Sequence, residues 1–398
     1  LFGLQTETSY KFTDYRAKLR LDYVSPPQLG IGVDQFGTYV GGGVGLVWSD
    51  LLGYYDLTTA VQTSSRLKDT AAMVSFLNDK HRLNWGLIAE RIPYIIGGFA
   101  TGYGTVSGEP AEIDQEYIFA EYDYQLGGIV AYPFNTFRRF EISAGYQYSD
   151  FSSDIRTRSY SLFDGTLIDD STQHLPAPDS LHFAYISPAF VYDSSFFGAT
   201  SPLLGQSYRL QVSPQIGNIS FYTVLADYRR YFMPVQPFTL AFRILHYGRY
   251  GKNAEDQRLY PLFIGYDTLV RGYNTSSFSA QEVSSDNGDL FNRLLGSKVI
   301  VANAELRFPL FKVLGVGRGF YGILPIEFLS FFDAGLAWSS EDKAWFLKGG
   351  QRKPVYSTGI GLRMNLFGYV IAGVDFVHPF NRPYKKGWYF EFSFQPGF

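Results

Sequence analysis

The feature that most restricts this chain is a two-residue rhythm of apolar and polar side chains that recurs along most of its length. In Asp14–Val24, Tyr15, Ala17, Leu19, Leu21 and Tyr23 are apolar, while Arg16, Lys18, Arg20 and Asp22 are charged. Successive side chains of a β-strand point to opposite faces, so this rhythm predicts strands with one apolar and one wet face. In Gly359–Leu366, Ile360, Leu362, Met364 and Leu366 alternate with Gly359, Gly361, Arg363 and Asn365. In the closing segment, Phe390, Phe392 and Phe394 alternate with Tyr389, Glu391, Ser393 and Gln395. Strands are expected near 14–24, 37–49, 54–65, 70–78, 82–93, 115–132, 139–151, 180–193, 205–216, 219–232, 236–248, 298–309, 322–338, 354–366, 369–379 and 387–397. That is an all-β chain of sixteen antiparallel strands.

A soluble sheet also alternates when one face meets water. The spacing of the strands argues for a membrane instead. Connections on one side are mostly long (25–36, 94–114, 152–179 and 249–297), and those on the other are mostly short (50–53, 79–81, 133–138, 233–235 and Phe367-Gly368). Transmembrane barrels have this asymmetry, with short periplasmic turns and long external loops. Closure satisfies every backbone donor and acceptor in hydrocarbon and leaves no sheet edge. The expectation is therefore a transmembrane β-barrel with its apolar face outward, its charged face inward and both termini periplasmic. Residues 1–13 are expected to be a periplasmic lead-in and 14–398 the barrel. Tyr54, Tyr55, Trp48, Trp338 and Trp388 near strand ends fit interfacial aromatic girdles.

Composition agrees and removes several functions. A mean hydropathy of -0.07 suits a barrel, in which only alternate residues meet lipid. No apolar run reaches the length of a spanning helix. The net charge of -3 offers no basic excess for nucleic acid, and the absence of cysteine removes disulfides and thiol chemistry. The chain begins Leu1-Phe2-Gly3 with no basic and apolar leader, so it is expected to be a processed product or a fragment. His81, His174, His182, His246 and His378 have no metal-ligand spacing. Gly41–Gly45 lies in a strand and opens no helix, unlike a phosphate loop. There is no nucleophile elbow. Asp22, Glu90 and Asp375 are expected to line the lumen. No enzyme activity, metal or cofactor is expected.

Four motifs in the last third carry a family resemblance. Val270-Arg271-Gly272-Tyr273 sits in the longest connection, and Asn303-Ala304-Glu305-Leu306-Arg307-Phe308-Pro309 opens the wall beyond it. Phe331-Phe332-Asp333-Ala334-Gly335 follows, and then Gly359-Ile360-Gly361-Leu362-Arg363, with Phe398 at the end. In order and strand parity these resemble the sixth-loop, twelfth-strand, thirteenth-strand and closing-strand signatures of the BamA-type insertase superfamily, also called the outer membrane protein 85 superfamily. The resemblance implies a sixteen-stranded barrel that inserts β-barrel proteins into the outer membrane or moves polypeptides across it. It also implies that loop 249–297 folds into the lumen and that Arg271 meets acids on the wall. Family members normally carry periplasmic POTRA domains before the barrel, and none lies between Leu1 and Asp14.

Parity supplies those acids independently. Val301, Asn303, Glu305 and Arg307 share one face, as do Phe331, Asp333, Gly335 and Ala337 on the next strand, so Glu305 and Asp333 are expected to face the lumen together. A guanidinium can fork onto a carboxylate where a lysine cannot, and Gly272 permits close approach to the wall. Val270, Arg271, Gly272, Tyr273, Glu305 and Asp333 are therefore the expected loop lock, with Phe331, Gly335, Gly361 and Arg363 as barrel signature. A second site is the seam that closure requires between 14–24 and 387–397. It would involve Arg16, Arg20, Phe390, Phe392, Phe394, Pro396, Gly397 and Phe398. Pro396 has no N–H and Gly397 no side chain, so pairing should weaken there. The resemblance implies a lateral gate and a C-terminal recognition signal at Phe398. Expected partners are outer-membrane lipids, unfolded barrel or secreted polypeptide clients, and periplasmic modules or accessory lipoproteins. A plugged passive pore and a membrane anchor for another module stay open beside the insertase reading.

Overall fold

The computed structural model describes residues 14–25, 28–34, 37–63, 67–279, 282, 289–366, 370–382 and 387–396. β1 (Arg20–Val24) and β2 (Gln28–Asp34) both lie against β3 (Gly37–Ser49), one on each half of it. Then come β4 (Tyr55–Thr63), β5 (Ala71–Asn78), β6 (Asn84–Val106), β7 (Glu109–Pro133) and β8 (Arg138–Ser161), each antiparallel to its predecessor. β9 (Leu167–Leu175) and β10 (Leu181–Asp193) divide β8 between them. The two-residue β11 (Phe196–Phe197) touches β12 (Pro202–Gly217), which pairs with β10 and β13 (Ser220–Val235). β14 (Phe238–Tyr250) precedes a long loop in which β15 (Leu262–Phe263) pairs with β16 (Leu295–Gly296). β17 (Lys298–Pro309), β18 (Ile326–Trp338), β19 (Val355–Leu366), β20 (Val370–Pro379) and β21 (Tyr389–Pro396) complete the series. Apart from β11, β15 and β16, these form one antiparallel sheet of 18 strands. No described helix is long and apolar enough to cross a membrane.

β3 and β17 have the bounds expected from alternation, 37–49 and 298–309. Three expected loops need correction. The connection 25–36 contains β2, and 94–114 contains the end of β6 and the start of β7. The connection 152–179 contains the end of β8 and all of β9. The second and third stretches carry polar residues on both faces, such as Glu109, Glu112 and Asp114, or Asp169, Asp170, Ser171 and Thr172, which blurs the two-residue rhythm. In the first, Leu29, Ile31 and Val33 alternate with glycines rather than with charged residues. β6 and β7 turn at Ser107-Gly108, both at positive φ (54° and 88°), as a two-residue hairpin whose twist suits the strands. The long side is thus built largely of tall paired strands rather than irregular loops. The sequence places Pro176 and Pro178 between β9 and β10. Proline has no N–H for a ladder, which accounts for the break there.

The first expected strand also starts late. Arg20 stands opposite Ser49, the last residue of β3, so residues 14–19 run past the end of their neighbour and form no strand. Arg16 therefore lies outside the ladder. Tyr15, beside it, donates instead to Asp50 Oδ2 at 2.5 Å.

Candidate functional site

Loop 251–297 packs on one face of the sheet, called here the inner face. Its Phe263, Ile264, Val270, Tyr273, Leu290 and Leu294 form one buried cluster with Leu245 of β14, Val299 and Val301 of β17, Ala337 of β18 and Val355 of β19. The chain turns sharply before the motif: the Val270 N–H donates to the carbonyls of Ile264 and Tyr266. Val270 then fits against Gly335, where an added methyl would lie 2.5 Å from a Val270 Cγ2. Gly335 is therefore a point where the Val270 and Ile264 side chains of the loop need an unobstructed wall.

That docking brings Arg271 to the acids. Its Nε donates to Asp333 Oδ2 at 2.8 Å and its Nη2 to Asp333 Oδ1 at 2.9 Å. Nη2 also lies 2.7 Å from Glu305 Oε1. The guanidinium carbon stands 3.5 Å from the centre of the Phe331 ring. Arg271 and Asp333 are 4% and 0% exposed. Burial alone disfavours the Arg271 charge, but the Asp333 and Glu305 carboxylates outweigh it and hold its pKa above the ordinary value. Glu305 is shared further: Arg307 Nε donates to it at 2.6 Å and Arg363 Nη2 at 3.2 Å. Asn303 ties the loop carbonyl of Leu269 (2.7 Å) to Asp333 (2.8 Å). Arg229, Arg243, Arg307 and Arg363 line an adjoining cavity of about 350 Å³.

Gly272 adopts φ 88°, a left-handed conformation that a side chain would strain, and its Cβ direction faces Val377 and Pro379 of β20. Its N–H donates to Glu391 Oε2 at 2.9 Å, and its carbonyl accepts from the Tyr389 hydroxyl at 2.6 Å. Tyr273 donates to the Tyr356 carbonyl at 2.8 Å, and burial pushes its pKa up to about 12. Arg382, fully buried, holds Glu282 at 2.9 Å, donates to the Gly272 carbonyl and lies 4.0 Å from the Phe278 ring centre. The motif thus touches β17, β18, β19, β20 and β21 at once.

The structure brings together Val270, Arg271, Gly272, Tyr273, Glu305, Asp333, Phe331, Gly335 and Arg363. Gly361 stands on the same wall, where a methyl would collide with the Asp375 carboxylate. The seam residues are elsewhere. Arg20 lies in β1, and Phe390 and Phe392 are 63% and 66% exposed on the outward face of β21. Phe394 and Pro396 have ladder positions opposite Ala372 and Val370. Gly397 and Phe398 lie outside the described residues. Sequence reasoning missed Asn303, Tyr389, Glu391, Glu282 and Arg382 as loop partners. The first three were marked by inward parity, whereas nothing in the sequence marked the other two. Among the described residues no group of three or more His, Asp or Glu is placed to hold a metal ion.

Comparison with known proteins places this geometry. The Omp85 superfamily domain matches residues 54–398. BamA from Haemophilus ducreyi lacking POTRA domains 1-3 superposes with a TM-score of 0.58 at 14% identity, over 91% of this chain and 67% of that one. CdiB from Acinetobacter baumannii superposes with a TM-score of 0.52 at 14% identity, over 92% of this chain and 58% of that one, so less than two thirds of CdiB is spanned. No curated protein matches the sequence.

Proposed function

The chain belongs to the Omp85 superfamily, and from that premise we propose that it helps insert β-barrel proteins into the outer membrane, or passes polypeptides across it, through a seam between its first and last strands. The observation that carries this reading is the state of the terminal strands. β1 and β2 are paired to β3, and β21 to β20, but among the described residues no pairing joins β21 to β1 or β2. Such an edge presents free N–H and C=O groups on which an incoming strand can template. Because β1 and β2 share one neighbour and β9 and β10 share another, closure along this seam would give sixteen strand positions. An even number returns the C-terminus to the side of the first strand, proposed to be periplasmic.

The work would come from exchange of backbone pairing and from locally disturbed lipid, without covalent chemistry or a cofactor. Clients would be unfolded barrel or secreted polypeptides, delivered by periplasmic modules or accessory lipoproteins. In this reading the Arg271 lock keeps the loop against the wall that ends in β21, one lip of the seam, while the pairing beyond β21 yields. The buried loop also favours a second reading, a plugged pore. Single cysteines placed in Arg20–Val24 and in Tyr389–Ser393 separate the two, since the chain has no competing thiol. Oxidised protein should stop inserting an unfolded barrel client into vesicles and recover on reduction. Undiminished insertion by the locked form would reject the seam.

A further inference from the structure

The loop between β18 and β19, residues 339–354, meets the long loop through Ser340 and Arg352, which bond to Glu255 and Asn292, and turns its remaining side chains away from the Arg271 lock. By alternation along β18, Phe332, Leu336 and Trp338 point away from the inner face. Phe332 is 46% exposed, as an outward residue should be, yet Leu336 and Trp338 are only 3% and 6% exposed. The loop itself covers them. Leu336, Trp338 and Ala344 form a buried cluster with Ile300 beside it, and Phe346 meets the Trp338 ring edge-on at 5.8 Å. The loop therefore folds back over the outer wall at one end of the sheet.

There it holds three apolar side chains out: Trp345, Phe346 and Leu347 are 59%, 52% and 42% exposed. Their backbone is stapled. The Trp345 N–H donates to the Arg352 carbonyl (3.0 Å), Arg352 to Lys343 (3.1 Å), Leu347 to Ala344 (2.8 Å) and Gly350 to Leu347 (2.9 Å). Beside this finger lies a cleft of about 630 Å³ lined by Arg293, Lys343, Arg352 and Lys353, with Glu341 and Asp342. Arg352 is paired to Asp342 at 2.6 Å, while Lys343 and Lys353 make no ion pair among the described residues. Surplus positive charge and preformed apolar tips thus sit side by side where the outer wall ends.

We propose that this loop is a lipid site: Trp345, Phe346 and Leu347 enter the acyl layer at that end of the barrel, and Lys343, Lys353 and Arg293 bind the phosphate of an anionic lipid headgroup. Aromatic rings suit the interface, and basic side chains draw anionic headgroups to it. The inference rests on the outward face meeting lipid and not on client insertion, so it stands or falls separately from the seam.

Brominated acyl chains quench tryptophan on contact, and the Trp345 signal is the difference between the unchanged protein and W345F. The full chain is placed in nanodiscs of phosphatidylcholine with a minority of phosphatidylglycerol, with bromine on one lipid or the other. Per mole of brominated lipid, phosphatidylglycerol should quench Trp345 about twofold or more over phosphatidylcholine at low salt, because basic side chains enrich anionic headgroups locally. Lys343→Gln with Lys353→Gln should bring the ratio to about one, and so should high salt on the unchanged protein, by screening. Equal quenching by both lipids at low salt would overturn the proposal. So would a preference that survives both treatments, or no quenching of Trp345 by either lipid, the outcome for a finger that docks a protein or stays in water.

Discussion

Among the arginines that grip an aspartate in a forked way, Arg156 and Arg271 have the most unequal surroundings. Arg156 of β8 donates to both oxygens of Asp170 of β9, at 2.9 and 2.7 Å, with side chains 44% and 32% exposed. Arg271 does the same to Asp333 at 2.8 and 2.9 Å, at 4% and 0%. The first pair stands on the tall hairpins, where water screens it; the second is sealed between loop and wall. The contrast extends to whole regions. From Asp14 to Pro110 no described apolar side chain is buried, whereas the loop shares a continuous core with β14, β17, β18 and β19. One part of the sheet is held by its ladder and side-chain bonds such as Tyr15–Asp50 and Lys68–Asp154, and the other also by a packed plug. Geometry is common to both pairs, and burial decides which of them matters.

The largest effect should come from Asp333→Asn. It leaves the Arg271 charge buried with a weakened partner and should cost about 3–5 kcal/mol, the usual result of breaking a buried pair. The readout is the temperature at which the folded band disappears on an unheated gel; a change smaller than about 1 kcal/mol would place the lock in the class of exposed pairs. Next come two matched glycines. Gly335→Ala drives a methyl against Val270 and should cost about 1–3 kcal/mol in denaturant unfolding, by overpacking. Gly98→Ala, in β6, meets nothing within 4 Å and should change stability by less than about 0.5 kcal/mol. Equal costs would erase the distinction between the regions. Asp170→Asn should be smaller than the lock variant, about 0.2–1 kcal/mol, and should shrink as salt is added.

The smallest effect appears only in acid. Glu255 fastens the outer end of the loop, accepting from Ser297 (2.5 Å), Lys298 (3.1 Å) and the Ser340 N–H (2.8 Å). Burial alone would raise its pKa, but the Ser297 and Ser340 bonds overcome this and lower it to about 2. A carboxylate depressed by folding stabilises fully above its unfolded value, and the contribution fades as pH falls toward the folded value. Proteolysis of the loop should therefore rise between about pH 4.5 and pH 2, the span from the ordinary to the lowered value, and Glu255→Gln should flatten that rise.

What could be read from the sequence follows the same division. Alternation revealed β17 to the residue, because one face is largely apolar and the other carries Asn303, Glu305 and Arg307; β3 has its expected bounds although neither of its faces is charged. Alternation also put Glu305 and Asp333 on one face, where the structure joins them through Arg271. Alternation failed where polar residues fall on both faces, so Glu109–Asp114 and Leu167–Leu175 read as loops although they are paired strands. Arg382 and Glu282 were invisible for another reason. They meet across a hundred residues of chain, and no local pattern in either segment announces a partner.

The central claim is that the Arg271 fork holds loop 251–297 against the wall. Single-channel conductance in planar bilayers tests it most directly, comparing the unchanged protein with Arg271→Ala. A low, steady conductance that rises sharply and fluctuates once the fork is removed is the predicted result. An unchanged conductance, with the loop as resistant to protease as before, would contradict it.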